Sequence, residues 1–429
     1  MLVTFLLPGL RPDMVAGLDG SSNRTIAISH GAVRVAPIPD DSRRSLNDRI
    51  TAFRCQVAVS DPNCATFTTA STRGAMLAEE DGDDPTTGFD ADGAFHLYQD
   101  LFGGVSGMLT EADHLIISPP ADLLRLPFQA LVTDPEGGPN GTPDWLIRHN
   151  AVSVLPSITS LRGLRNQPSR KTRGLGRYLG LGDPVIGNSG PVDCATVRMA
   201  NLRAAPPETP DLMDGETGTA LARPAALRAL PRLPDSACEV EAIGRVFGNA
   251  ASLFTGSQAT ESRVKFLDAS AQLAQYDVIV FATHGLTAGE AGARAPGLVL
   301  TPPEIATAED DGLLTAAEIA TMHLNASLVV LSACNTAAGE DASAEGLSGL
   351  ARAFFHAGGS SLLVTHWSVY SSAAVEVSTG LFRTLQDEPE LGHAEALRRS
   401  VLAILDDPAQ DPLRTHPSYW APFAIVGLR

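Results

Sequence analysis

Asp277-Val278-Ile279-Val280-Phe281-Ala282-Thr283-His284-Gly285 and Ala326-Ser327-Leu328-Val329-Val330-Leu331-Ser332-Ala333-Cys334-Asn335-Thr336 are two apolar runs, each followed by a reactive side chain. Both are short, rich in β-branched residues and free of charge between their ends. A strand buried on both faces of a parallel sheet reads this way, because helices cover both sides. The two runs therefore predict neighbouring central strands of an α/β fold. In an open α/β sheet, ligands bind just beyond the carboxyl ends of such strands, which is where His284 and Cys334 fall. A thiol and an imidazole at one crevice form a candidate nucleophile and base.

Working outward, strand-like and helix-like stretches alternate from about residue 90 to the end. Leu115–Ser118, Ala151–Leu155, Arg177–Pro184, Ala251–Thr255 and Ser360–Trp367 read as strands, and the chain closes on Pro422-Phe423-Ala424-Ile425-Val426-Gly427. Helices are expected near Phe95–Leu109, over Glu239–Phe247 after Leu233-Pro234-Asp235-Ser236, from Thr260, and over Gly346–Ala357, Ala373–Gln386 and Leu391–Leu405. Asp235 or Ser236 suits the N-cap of the second of these. Regular alternation of strand and helix predicts a mostly parallel sheet with right-handed crossovers. Gly174, Gly176, Gly180 and Gly182 imitate a dinucleotide fingerprint, but they lie inside a strand that Pro184 ends, so nucleotide binding is not expected.

Residues 1–89 form a separate N-terminal region in this reading, and 90–429 the main domain. The region contains β-like runs at Thr25–Ile28 and Gly31–Pro37 and a helical stretch over Ser45–Val59. It closes on the acidic stretch from Glu79 to Gly93. That stretch lacks the D-x-D-x-D-G spacing and terminal glutamate of a calcium loop, and it reads as a solvated linker, open to proteolysis. The first ten residues are apolar but lack a basic start, and Pro8-Gly9 interrupts them, so a secretory leader is not expected. No run reaches the roughly 18 apolar residues of a membrane span.

Acidic residues number 49 against 31 basic ones, a formal charge of -18, which repels nucleic acid in the absence of a basic patch. The five cysteines, Cys55, Cys64, Cys194, Cys238 and Cys334, are odd in number and contain no C-x-x-C pair. This spacing disfavours a disulfide framework and a zinc ribbon, and it suggests a reduced, cytoplasmic setting.

A free thiol titrates near 8.5 and is mostly protonated at neutral pH. An adjacent imidazole removes the proton during attack and later protonates the leaving amine. The amides of Gly285 and Cys334 are candidate donors to the oxyanion, and glycine at 285 leaves room for the substrate carbonyl. Taken singly, a cysteine after a strand is ordinarily a small buried hydrophobe. The pair is the stronger signal, with His366 as a rival base. The separation from His284 to Cys334 is 50 residues, the spacing found in caspases, and Ala333-Cys334 repeats the Ala-Cys core of their motif.

These residues resemble the CHAT domain, a bacterial branch of the caspase-like cysteine peptidases. The resemblance rests on Leu126-Pro127-Phe128 with Ala130-Leu131, Pro156-Ser157, Gly182-Asp183-Pro184, Ala282-Thr283-His284-Gly285 and Leu331-Ser332-Ala333-Cys334-Asn335-Thr336. It continues through the Gly346–Gly359 helix, Trp367-Ser368-Val369 and His416–Phe423, and covers about 90–429. It implies a caspase-like αβα sandwich with a His284–Cys334 dyad, oxyanion donors at Gly285 and Cys334, and neither metal nor organic cofactor. The expected activity is limited proteolysis of a protein partner, with a gasdermin-like pore-former in antiviral defence as one candidate. No direct membrane contact is implied, and the oligomeric state is left open. Trp367 and Ser332 are candidate walls of the substrate pocket. The position two after Val369, often acidic in the family, is Ser371 here, and the position two before Cys334 is Ser332, which leaves a preference for a basic substrate residue unsupported at those points; the loop acids Glu340, Asp341 and Glu345 are the candidate substitutes. The alternatives are a non-catalytic scaffold and a thiol acyltransferase or amidase using the same dyad.

Overall fold

The computed structural model describes residues 1–6, 24–38, 43–58, 64, 89–120, 123–156, 175–187, 192, 194, 221–286, 295–332, 346–407, 409 and 411–428. In chain order the first strands are β1 (Leu2–Leu6), β2 (Arg24–Ser29), β3 (Ala32–Pro37), β4 (His114–Ser118), β5 (Val132–Asp134), β6 (Asp144–Trp145), β7 (Ala151–Val154) and β8 (Tyr178–Pro184). They are followed by β9 (Ala251–Gly256), β10 (Val278–Ala282), β11 (Gly285–Leu286), β12 (Gly297–Val299) and β13 (Leu313–Thr315). The last three are β14 (Leu328–Leu331), β15 (Ser361–Thr365) and β16 (Phe423–Gly427). Helices of eight or more residues are α1 (Arg43–Val57), α2 (Ala91–Phe102), α3 (Asp235–Phe247), α4 (Glu261–Ala269), α5 (Gly346–His356), α6 (Ser371–Asp387) and α7 (His393–Leu405).

Eleven strands form one sheet in the order β3-β2-β1-β4-β7-β16-β15-β14-β10-β8-β9. Pairing is parallel throughout β15-β14-β10-β8-β9 and throughout β1-β4-β7-β16, and these two blocks meet antiparallel at β15 and β16. The expected α/β architecture, with a mostly parallel central sheet and surrounding helices, is therefore observed. The apolar runs explain themselves in the packing. Val278, Val280 and Ala282 of β10, with Leu328 and Val330 of β14, enter one core. The alternate residues Ile279, Phe281, Val329 and Leu331 enter the other. With a core on each face, neither strand has a position left for a polar residue.

The N-terminal stretch is built into the same sheet. β1 pairs parallel with β4, and β2 and β3 continue the sheet antiparallel from it. Phe5 meets Phe102 and Phe128 at ring-centroid distances of 5.8 and 6.0 Å. Val3, Phe5, Leu46, Ile50 and Phe53 belong to the core that holds Leu97, Leu101 and Phe128. Strands before and after residue 90 thus share one sheet and one core. The expected linker also reaches into structure: Asp90 N-caps α2, its Oδ1 accepting from the Gly93 amide at 2.8 Å. Residues 79–88 of that linker lie outside the described residues.

Two expectations are corrected. Neither Asp235 nor Ser236 caps α3, whose N-cap position is Pro234; both side chains are drawn instead into tertiary hydrogen bonds. The cysteines do form disulfides, Cys55–Cys64 and Cys194–Cys238. Their spacing carried no recognisable framework because the second closes a separation of 44 residues between α3 and a stretch without periodicity. On chain entropy alone, closing such a loop stabilises by about 4 kcal/mol, and the shorter one by about 2.5 kcal/mol. The pairs use four of the five cysteines and leave Cys334. No helix among the described residues is long and apolar enough to cross a membrane.

Alkylation of the unreduced, denatured protein should therefore modify one cysteine, Cys334, and reduction should expose five sites to mass spectrometry. Four or more modified sites without reductant would contradict the pairing.

One buried histidine, His366, and two half-buried ones, His114 and His416, make a second outcome measurable. Burial, followed by the N-terminal ammonium group, lowers His114 to about 4. Burial lowers His416 to about 4, and burial followed by Arg54 lowers His366 to about 3. The unfolded chain protonates its imidazoles near 6.5, so this contribution is complete above about 6.5 and is lost as pH falls toward the folded values. Glu261 acts in the opposite sense, since burial raises it to about 7. The difference between variants isolates one group: His114→Gln should flatten the pH dependence of unfolding free energy below pH ~6.5 by up to about 1.4 kcal/mol per pH unit. Denaturant titrations at several pH values would show it, and parallel curves for the two proteins would contradict it.

Candidate active site

At the end of β10 the backbone turns from the large sheet into the small one formed by β11, β12 and β13. The turn is pinned on both sides of His284: the Thr283 hydroxyl donates to the Val299 carbonyl, and the Val299 amide donates to the His284 carbonyl at 2.9 Å. The imidazole is fully buried. Its Nε2 lies 2.7 Å from the carbonyl oxygen of Pro231. A carbonyl only accepts, so Nε2 carries the proton and, in the neutral ring, Nδ1 carries the lone pair. This hydrogen bond fixes the tautomer of the neutral ring, with the lone pair on Nδ1.

β14 runs beside β10 in parallel register, Val278 opposite Leu328 through Phe281 opposite Leu331. The ladder continues one step further, where the Ser332 amide donates to the Phe281 carbonyl at 3.0 Å. Cys334, and with it the loop acids Glu340, Asp341 and Glu345, lies outside the described residues. Gly285 opens β11 opposite Leu298.

The structure places Ser332 and Ser371 against acids that sequence reasoning did not associate with this site. The Ser332 hydroxyl donates to Glu239 at 2.8 Å, and the Ser371 hydroxyl donates to Asp235. Both carboxylates come from the first turns of α3, four residues apart and so on one helical face. Glu239 is completely buried and Asp235 nearly so. The i, i+4 spacing of the acids was the available signal, but Asp235 read as a helix cap.

Trp367 follows β15 and is 1% exposed. The Arg54 guanidinium stands 5.9 Å from its ring centroid and donates to the carbonyls of His366 and Arg125. An arginine of α1 is therefore buried behind this end of the sheet, which its place in a polar-looking helix did not announce. His366, the rival base, is buried beside Trp367 and held neutral by that burial. A cavity of about 350 Å³ bounded by Phe89, Trp145, Arg148, Leu405 and His416 shares no lining residue with the His284 end. Among the described residues no group of three or more His, Cys, Asp or Glu is disposed to hold a metal ion.

Residues 94–428 match the family model described as the CHAT domain. A mouse (Mus musculus) protein, tetratricopeptide repeat protein 28, is 30% identical over 204 residues, covering 40% of this chain; the chain spans 8% of that relative. Among solved structures, the Arg-specific cysteine proteinase gingipain R has a TM-score of 0.38 at 9% identity, covering 90% of this chain and 74% of its own. A complex of the Porphyromonas gingivalis RgpB pro- and mature domains has a TM-score of 0.37 at 10% identity, covering 91% and 77%.

Removing the Ser332 hydroxyl deprives a buried carboxylate of a partner. Ser332→Ala should lower unfolding free energy by about 1–3 kcal/mol, measured by chemical denaturation. An unchanged midpoint and slope would show that the Ser332–Glu239 bond does not support the strand end.

Proposed function

Because the chain belongs to the CHAT domain family, we propose that it is a cysteine endopeptidase with Cys334 as nucleophile and His284 as base. The observation that carries this reading is the strand register. β10 and β14 pair residues fifty positions apart from Val278 and Leu328 onward, and His284 and Cys334 are separated by the same fifty. Parallel neighbours with a constant offset send equivalent positions out of the same sheet edge. The tautomer of His284 supports the reading as well, since it leaves Nδ1 to accept the thiol proton.

In the proposed reaction, Nδ1 takes the proton as sulfur bonds to the scissile carbonyl carbon, and the carbonyl π electrons move to oxygen. The amides of Gly285 and Cys334 stabilise that oxyanion. Its collapse breaks the C–N bond while the imidazolium protonates the departing amine. Water then attacks the thioester, with His284 again as base, and releases the acid and the thiol. Ser332 and Trp367 are assigned to the back of the substrate pocket, as supports for its shape. A protein partner, cut at few sites, is the proposed substrate.

A pore-forming partner in antiviral defence and a cytoplasmic setting are finer proposals. Co-incubation with proteins encoded beside this chain, followed by N-terminal sequencing of fragments, tests the first. The two disulfides favour an oxidising compartment over the second, and thiol trapping in intact cells decides between them. The 30% identity to a repeat protein favours one alternative, a non-catalytic interaction module. A thiol-reactive peptidyl probe separates the readings, because an interaction module would not label preferentially at Cys334.

Cys334→Ala should reduce cleavage of the identified partner by about 10⁴-fold or more with the unfolding midpoint retained, and His284→Ala should lose as much activity while lowering the midpoint, because it empties a buried site and removes the bond to the Pro231 carbonyl. Cleavage at the parental rate by Cys334→Ala would remove the endopeptidase assignment.

A further inference from the structure

The carbonyl that fixes His284 belongs to a short segment, residues 231–236, which is tied along its length to the end of β8. Gly182 is there because the helix start crowds it: a Cβ would come within 2.8 Å of the Ser236 carbonyl oxygen. The next residue, Asp183, interrupts the register between β8 and β9 and adopts a φ of 47°. Aspartate tolerates the left-handed region better than most residues, and a bulge re-aims a side chain at a strand end. Here the bulge turns the Asp183 carboxylate onto the Arg232 guanidinium, Oδ1 accepting from Nε at 2.9 Å and Oδ2 from Nη2 at 2.7 Å. The Asp183 amide donates to the Ser236 hydroxyl at 2.7 Å, and that hydroxyl donates to the Leu233 carbonyl at 2.6 Å.

We propose that the bidentate Asp183–Arg232 pair is a positioning device for catalysis: it holds the Pro231 carbonyl, which in turn holds His284 in the tautomer and orientation that activate Cys334. The inference rests on the dyad reading and adds to it two residues that touch no reacting atom. Arg232 follows Pro231 directly, so guanidinium movement is passed to the carbonyl through one peptide unit whose φ at 231 the proline ring restricts. Asp183 is 6% exposed. A planar fork gripping such a carboxylate permits little rotation, which a lysine ammonium would not reproduce. Burial raises the Asp183 carboxyl, and the Arg232 hydrogen bonds and charge act against that rise, with nearby Asp235 raising it further. The charged groups facing the clamp are thus Asp183, Arg232 and Asp235, with Glu239 one turn along α3. Arg228, from the preceding turn, is engaged with the carbonyls of Pro302 and Pro303.

The pH dependence of Cys334 alkylation by iodoacetamide reads the device without a substrate. In the otherwise unmodified full-length protein, with both disulfides intact, the imidazole should shift the thiol's half-reaction pH below the ordinary ~8.5, and His284→Ala should return it there. Asp183→Asn keeps the size of the side chain but not its charge. It should move the profile at least half of the way toward that of His284→Ala, with a near-native circular dichroism spectrum. Arg232→Lys, which keeps charge and loses the fork, should shift it in the same direction and serves if Asp183→Asn fails to fold. Folded variants of both residues with the parental profile, alongside a shifted His284→Ala, would overturn the clamp alone. A parental profile in His284→Ala itself would overturn the dyad, and the clamp with it.

Discussion

The parallel pairing of β10 with β14 in the middle of the sheet is the constraint on which the rest depends. Each strand is sealed between two cores, so the pair cannot slip by one residue without exchanging every side chain between those cores. Register at the heart of the sheet is therefore strongly determined, and Thr283 and Ser332 leave the strands from fixed positions. The chain exploits this by keeping polar chemistry out of the strands and placing it directly after them, at Thr283, His284 and Ser332. Hydrogen bonds that would cost stability inside either core are made there with fixed partners: Val299, Pro231, Phe281 and Glu239.

The helix start at Asp235 performs several tasks for which a single element is seldom used. Its first two turns supply acids to Ser371 and Ser332, the segment before it supplies the Pro231 carbonyl, and Cys238 anchors a disulfide. Gly182 and Ser236 bring β8 and this segment into close approach. Behind the neighbouring strand, Arg54 from α1 satisfies the His366 carbonyl and faces Trp367. The N-terminal residues thus complete the sheet on one side and support the site from the rear.

Much of this was legible in the sequence, for a physical reason. Uninterrupted β-branched runs at 278–282 and 328–331 have few alternatives to a doubly covered strand, and residues after such strands have a restricted set of roles. The Asp90 cap went unread because its acid lay within an acidic run, where solvation was the simpler account. β1 went unread because its parallel partner is more than a hundred residues away and its apolar start also suits a leader. The disulfides and the buried Arg54 depend wholly on tertiary proximity, and neither spacing nor periodicity encodes that. Asp235 and Ser236 show the converse case, in which a sound local rule about helix caps was overridden by partners on β8 and α6.

The most direct measurement of the central claim is a crystal structure of the protein covalently trapped by a peptidyl thiol-reactive inhibitor. The account places the inhibitor's bond on the Cys334 sulfur, with His284 Nδ1 within hydrogen-bond reach of the reacting atoms and Nε2 still held by the Pro231 carbonyl. A trapped sulfur to which His284 presents no ring nitrogen, or an inhibitor bonded elsewhere in the chain, would contradict it.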